Sequence, residues 1–381
     1  MQHVVFAHRK LSFGGGERVL LEQVAALADL PVKVSVLFRK EPGRRDIEPE
    51  LRARNPHVSE ILHMPGAWAA FHWLRQTRPD LLVLCNHKGV QRALPWLGRL
   101  GPRIPCVVTL HEHYPRHLKK YLGIRDFVDR WICTYDFTAA VRQCLGSAPC
   151  AIIHPLYPRP ETHEFTEEAR RAARRMLGIP EVGHLIGYVG QIDGRKNPLA
   201  TLRFAETLDQ ALPGLSLLFA GREDSATARA LDMALATSPL RNRVHRLGPL
   251  LDLAPAFGAL DLYVMTSRNE GFFPIALIEA MERGVPVVAP TLGGIATVLR
   301  DGEGGFLMAK PDDRRSPSPD LLEATAARLA PLLSDAEAWQ VQRDRAHAFG
   351  TAFTRGYDAA TLFREALADW LQTETGTGEA P

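Results

Sequence analysis

Two glutamates, two adjacent cations, a histidine and a glycine run stand where apolar stretches give way to polar loops. Glu270 and Glu279 belong to Thr266-Ser267-Arg268-Asn269-Glu270-Gly271-Phe272-Phe273-Pro274-Ile275-Ala276-Leu277-Ile278-Glu279-Ala280-Met281. Its first part closes an apolar run, and its second part reads as a helix with proline near the first turn. Glu279 sits among Ile278, Ala280 and Met281, so its carboxylate needs a cation or ligand hydroxyls. The N–H groups from Gly271 through Phe272 and Phe273 to Ile275 would face an anion. Gly190-Gln191-Ile192-Asp193-Gly194-Arg195-Lys196-Asn197 places Arg195 beside Lys196 after another apolar run, which suits a phosphate or pyrophosphate. His111, in Thr109-Leu110-His111-Glu112-His113, is placed to orient a hydroxyl or stabilise developing charge. Gly14, Gly15 and Gly16 would let backbone approach an anion at a helix start. Taken singly, each has an ordinary explanation: a turn, a hydrogen-bonded histidine, a solvated cation pair, an acid at a helix start with a structural ion pair. Together they describe a site for a charged ligand.

The elements that must position them are short, β-branched runs alternating with helical stretches. In the first half the runs cover 3–7, 32–38, 80–85, 104–110, 131–135 and 150–154, with helices over 16–29, 68–77 and 137–145. In the second half they cover 184–190, 215–221, 243–248, 260–266 and 285–290, with helices over 198–211, 224–236 and 274–283. Continuous apolar strands alternating with helices predict parallel sheets buried on both faces. Two series predict an α/β protein of two doubly wound, Rossmann-like domains facing a central cleft, with ligands at the carboxyl ends of strands. The expected division is 1–160, 161–350, a helix over 351–372 crossing back to the first domain, and a flexible tail over 373–381. His154-Pro155-Leu156-Tyr157-Pro158-Arg159-Pro160 marks the break, because its prolines end strand and helix alike.

The composition excludes several classes. With 381 residues, 46% hydrophobic and 23% charged, the chain is neither fibrous nor mainly disordered. A net charge of +3 does not argue for nucleic acid. No apolar run is long enough to span a membrane and the start lacks a signal-type core, so a cytoplasmic protein is expected. Walker A, G-x-S-x-G and H-E-x-x-H patterns are missing. Val19 stands where a dinucleotide fingerprint needs glycine or alanine, which speaks against nicotinamide chemistry. His113 and His117 have helical spacing, but Pro115 lies between them and no third ligand is evident, so no metal is expected. Five cysteines without a C-x-x-C pair read as reduced thiols.

At these residues the chain resembles the retaining, nucleotide-sugar-dependent glycosyltransferases of GT-B fold, glycosyltransferase family 4 in particular. The likeness runs through the glycine loop, Thr109-Leu110-His111, the 190–197 loop, the 267–290 stretch, Gly293-Gly294-Ile295 and the 300–307 stretch. It implies a metal-independent hexosyltransferase without a cofactor, using a UDP- or GDP-linked sugar. It implies catalytic roles for His111, Lys196 and Glu270. Glu279 would bind the nucleotide ribose, and Glu270 the donor sugar hydroxyls. Lys196 with Arg195 would hold the pyrophosphate, completed by Gln191, Gly15, Gly16, Gly271, Phe272 and Phe273, while Leu247 would pass near the base. Three departures stand out. Eight residues separate Glu270 from Glu279 where the family has seven; Gln191 replaces a usual arginine; Ala296-Thr297 replaces Pro-Glu.

The acceptor, a saccharide or glycolipid in polysaccharide or glycoconjugate biosynthesis, is expected on the first domain. The segment 116–125 is basic and apolar together, with Trp68, Phe71 and Trp73 nearby in sequence, which reads as an ordinary solvated helix face with core aromatics, or as peripheral contact with anionic lipid at the inner face of the membrane. Two other readings of the fold stay open: a sugar-nucleotide epimerase, and a non-catalytic sugar-nucleotide-binding module.

Overall fold

Among the described residues every strand of the protein pairs parallel with its neighbour, in two separate sheets. The computed structural model describes the chain apart from residues 10, 12–14, 40–46, 102, 111–117, 135–137, 155–165, 251, 271–273, 293, 310–315, 356–357 and 372–381. The chain divides into two units, one comprising Met1–Pro158 with Asp358–Pro381 and the other Arg159–Tyr357.

The first unit holds β1 (Gln2–His8), β2 (Val32–Phe38), β3 (Val58–His63), β4 (Leu81–Cys85), β5 (Cys106–Leu110), β6 (Arg130–Cys133) and β7 (Cys150–Ile152). Their spatial order is β3-β2-β1-β4-β5-β6-β7. The second unit holds β8 (Leu185–Val189), β9 (Ser216–Ala220), β10 (Val244–Gly248), β11 (Leu262–Val264), β12 (Val287–Pro290) and β13 (Gly305–Met308), ordered β10-β9-β8-β11-β12-β13. Strands β4, β5 and β8 are buried along their whole length, as helices on both faces of a parallel sheet require. The order reverses between β1 and β4 in one sheet, and between β8 and β11 in the other. These are the topological switch points, where a doubly wound sheet leaves a crevice at the strand ends.

Two strands depart from the sequence reading. β3 reads Val-Ser-Glu-Ile-Leu-His and buries only Val58, so this edge strand lacks an apolar run. β13 is four residues long and begins at Gly305. Helix ends follow local chemistry: Thr166 Oγ1 accepts from Ala169 N at 3.1 Å to cap Glu167–Leu177, and Gly178, at φ +68, closes it.

That helix also carries a buried cation. Arg174 is 0% exposed and donates to Asp261 Oδ2 at 2.8 Å and to the carbonyls of Ala259 and Gly183 at 2.9 and 2.8 Å. Asp261 also receives Leu185 N at 2.7 Å and Arg170 Nη1 at 2.9 Å. It thereby ties the amino ends of β8 and β11 together, opposite the crevice.

The expected boundary at 350 is corrected. Ala336–Arg355 is one helix of the second unit, held by Gly350 packing so close to Glu282 that a Cβ would lie 2.5 Å from its N. The helix that joins the first unit is Ala359–Leu367 rather than 351–372. There Phe363 stacks on Phe6 at 6.4 Å, Arg130 donates to Ala366 O at 2.6 Å, and Gln2 donates to Trp370 O at 2.7 Å.

Candidate functional site

The second unit's crevice is built from the loops after β8 and β11. Gly190, at φ +144, turns the chain out of β8 and donates to Ala220 O at 2.8 Å. Ile192 N donates to Arg222 O at 2.9 Å, pinning the loop to the chain after β9. Asp193 then folds the loop back on itself: its Oδ1 accepts from Arg195 N at 3.0 Å and Lys196 N at 2.9 Å. Asn197, at φ +58, starts the helix Pro198–Ala211, whose proline suits its first turn.

Buried hydrogen bonds join this loop to the end of β11. Asn197 Nδ2 donates to Thr266 O at 3.2 Å, and Thr266 Oγ1 donates to Asn197 O at 2.9 Å. Arg268 N donates to Arg195 O at 2.8 Å. With both backbones fixed, Lys196 Nζ donates to Glu270 Oε1 at 2.5 Å, and Arg195 Nη1 lies 3.6 Å from Glu270 Oε2. Glu270 is 5% exposed, whereas the Arg195 side chain is 46% exposed. Burial pushes the Lys196 ammonium down, and Glu270 pulls it back. The arrangement holds one largely covered ammonium and one exposed guanidinium at a strand-to-helix turn, with a carboxylate between them.

Glu279 lies half-buried on the helix Ile275–Met281. Tyr263 of β11 feels both glutamates: burial raises its phenol, and Tyr188, Glu270 and Glu279 add to the rise in that order. Tyr188 is likewise raised, by burial and then by Glu270. Tyr263 Oη donates to Val189 O at 3.1 Å, and the Tyr188 and Tyr263 rings lie 5.9 Å apart. Leu247 sits where the β9–β10 register shifts, half-buried beside Gly248, whose carbonyl accepts Gly221 N at 2.8 Å. Gln191 is exposed and takes no part in the Lys196–Glu270 contact, although its carbonyl accepts from Tyr188 Oη at 3.3 Å. Gly271, Phe272 and Phe273 lie outside the described residues.

In the first unit the helix Gly15–Ala25 begins at the glycine run, so Gly15 and Gly16 form its first turn. Gly14 lies outside the described residues, as do His111, His113 and His117. β5 ends at Leu110, immediately before His111. Sequence reasoning missed Asn86 and His87, which leave β4 beside β1. Asn86 bridges to His8 at φ +56. His87 Nδ1 accepts from Val90 N at 3.2 Å, capping Lys88–Leu100, and burial pushes the imidazole down to about 4. The signal available was a polar pair at the end of the apolar 80–85 run.

Residues 13–155 match the family described as Glycosyltransferase Family 4, and residues 183–335 match that described as Glycosyl transferases group 1. The second match takes in the β8/β11 switch point, and the two together take in every described site residue. The chain belongs to these glycosyltransferases. Among curated proteins, the D-inositol 3-phosphate glycosyltransferases of Mycobacterium tuberculosis and Mycobacterium bovis are similar, at 29% identity over 271 residues, covering 66% of this chain and 53% of each relative. The chain thus spans about half the length of the curated relatives it matches. Anabaena Alr3699/HepE, solved with UDP and glucose, shares the fold at TM-score 0.76 and 19% identity, over 97% of this chain and 99% of that one. WaaG, a glycosyltransferase involved in lipopolysaccharide biosynthesis, does so at 0.72 and 20%, over 98% and 100%. These likenesses identify the two sheets as the GT-B fold. Among the described residues of this glycosyltransferase, no helix is long and apolar enough to cross a membrane.

Proposed function

We propose that this glycosyltransferase moves a sugar, with retention of anomeric configuration, from a UDP- or GDP-linked donor to a saccharide or glycolipid acceptor. The observation that carries the reading is the Lys196–Glu270 pair at the β8/β11 switch point, with Arg195 alongside. Cleaving a glycosyl–phosphate bond leaves a nucleoside diphosphate that gains negative charge while the sugar becomes oxocarbenium-like. Lys196 and Arg195 supply fixed positive charge where that leaving group forms, and removing one such donor typically costs about 2.7–4 kcal/mol of barrier. Donor arrival transfers Lys196 from carboxylate to phosphate and leaves Glu270 facing sugar hydroxyls. Glu279 takes the ribose, and Leu247 lies beside the base. His111 is assigned beside the donor sugar by resemblance alone. No metal or cofactor is assigned a part in this scheme.

Thermal shifts with UDP, GDP, ADP and their sugar conjugates test the donor site, since a ligand at 100 times its Kd adds about 2.7 kcal/mol to native stability. One nucleotide series should stand out, and no shift with any would overturn the reading. Nucleotide release that depends on added acceptor then supports transfer. Donor isomerisation without acceptor would instead mark an epimerase, and binding alone a non-catalytic module.

The proposal extends to peripheral contact with anionic lipid through the first unit. Trp68 is 67% exposed, and Trp96, Leu100 and Leu122 are exposed too, on Ala67–Thr77, Lys88–Leu100 and Lys119–Phe127, which pack side by side. Lys119, Lys120, Arg92 and Arg99 are exposed on the same elements. Phe71 is buried, and Trp73 meets His3 edge-on at 6.2 Å, so neither belongs to this face as the sequence suggested. Flotation with vesicles containing anionic lipid, compared with neutral vesicles, tests it. Trp68→Ala should reduce flotation, and equal behaviour on both vesicle types would sink the idea.

A further inference from the structure

Cysteine spacing in the sequence suggests no pairing, yet the fold brings two thiols together. Cys133 ends β6 and Cys150 begins β7, and their Sγ atoms lie 2.9 Å apart. In the ladder Trp131 faces Cys150 and Cys133 faces Ile152, so the cysteines are diagonal neighbours on one face of the sheet. Cys133 is 0% exposed, whereas Cys150 is half-buried on a three-residue edge strand. Cys150 is therefore the more accessible residue of the two, and Cys133 stands behind it.

We propose that Cys133 and Cys150 are a reversible redox modification site, closed to a disulfide by small disulfide oxidants such as oxidised glutathione. The Cys150 thiolate attacks one glutathione sulfur, forming a mixed disulfide and expelling the first glutathione thiolate. The Cys133 thiolate then attacks Cys150 Sγ and expels the second. Both thiol protons pass to solvent or to the departing glutathiones, and two electrons reduce the oxidant. Closing the gap to a bond of about 2.03–2.05 Å asks each sulfur to move less than an ångström. An edge strand bonded on one side only can follow that movement. A partly exposed attacking thiol with a resolving thiol behind it is the arrangement of a redox-sensing pair. Burial pushes the Cys106 thiol up, away from the reactive thiolate, Cys85 is buried, and Cys144 is half-buried on Thr138–Leu145, outside the β6–β7 ladder. The bond would staple the outermost strand of the first sheet to its neighbour. The inference does not rest on the proposed sugar transfer.

The test treats the whole protein with oxidised glutathione, removes excess reagent and counts thiols in denaturant. The five thiols of the sequence should fall to three, with a mass loss of about 2 Da and full recovery in dithiothreitol. Peptide mapping should link Cys133 to Cys150. No Lys or Arg separates Cys144 from Cys150, so the map is repeated on Cys144→Ser, which should close the same bond. Cys133→Ser should retain one bound glutathione, at Cys150. Five remaining thiols, a bond through Cys144, or a wild-type protein that stops at the mixed disulfide would each overturn the proposal.

Discussion

Lys196 Nζ meets Glu270 Oε1 at 2.5 Å, and the two side chains reach that contact from opposite sides of a topological switch. Lys196 follows β8 and Glu270 follows β11, neighbouring strands separated in sequence by two other strands of the same sheet. The pair therefore reports whether the crevice has formed, as well as what charge it holds.

Breaking the pair on one side should strand a buried charge. Glu270→Gln and Lys196→Ala are each expected to lower unfolding free energy by up to about 3–5 kcal/mol, read as urea midpoints. The double variant should recover part of that loss. Lys196→Ala should in addition slow turnover by roughly 10²–10³-fold. Unchanged kinetics in a folded Lys196→Ala would remove it from the site.

Glu279→Ala should act on nucleotide affinity. Loss of a charge-assisted hydrogen bond to a ribose is worth about 1.5–3 kcal/mol, or about 10–100-fold in Kd. Calorimetric titration with the nucleotide that stabilises the wild type checks this. An unaltered Kd would relocate the ribose.

At the opposite end of β11, Asp261→Ala should cost stability without touching nucleotide affinity. It leaves Arg174 buried without its carboxylate and deprives Leu185 N of its acceptor, for a loss of about 3–5 kcal/mol. Urea unfolding measures that loss, and a nucleotide Kd equal to wild type, measured below the unfolding range, separates this end of the sheet from the site.

Gly221→Ala should damage the crevice through the backbone. Gly221 is at φ +144, and a Cβ there would lie 1.8 Å from Gly190 O, the residue that turns the chain toward Lys196. The strained conformation alone costs about 1–3 kcal/mol, and the clash must push the two loops apart. Both thermal stability and nucleotide affinity should fall. A change in stability alone would detach Gly221 from the binding loop.

The buried His87 sets an acid limit. Its folded value is held near 4 by burial, against an ordinary 6.5 in the unfolded chain. Between those values the unfolded chain binds the extra proton, so stability falls as pH drops from 6.5 to 4 and is unaffected by this group above that window. The full loss is about 3 kcal/mol. His87→Asn keeps a capping oxygen for Val90 N and removes the titration, so its unfolding profile should be flatter than wild type from pH 6.5 to 4. Parallel profiles would exonerate His87.

Most of this architecture was legible because buried parallel strands are almost purely apolar. β4, β5 and β8 could be read directly, whereas β3 was lost because an edge strand tolerates Ser59 and Glu60. Lys196, Arg195 and Glu270 stand out in the sequence as charged groups at strand ends, and the fold brings their side chains together. Their mutual contact was not legible, since it depends on Asn197 and Thr266 closing a non-local hydrogen-bond pair. The Arg174–Asp261 hub was hidden for the same reason: Glu167–Leu177 is crowded with charged residues, and only the fold turns Arg174 inward. The boundary at 350 failed because a long helix and its successor share one composition.

The docking of Ala359–Leu367 on the first unit has a consequence for biosynthesis. That unit is discontinuous, and its sheet is complete in sequence once Ile152 has been made. Phe363, the partner of Phe6, arrives only after Arg159–Tyr357 has been translated, roughly 10–40 s later. In that interval the apolar surface awaiting Phe363 and Leu367 faces water, and it is a ready target for chaperones. The second unit, contiguous along the chain, can finish first, so the order of domain completion runs against the direction of translation.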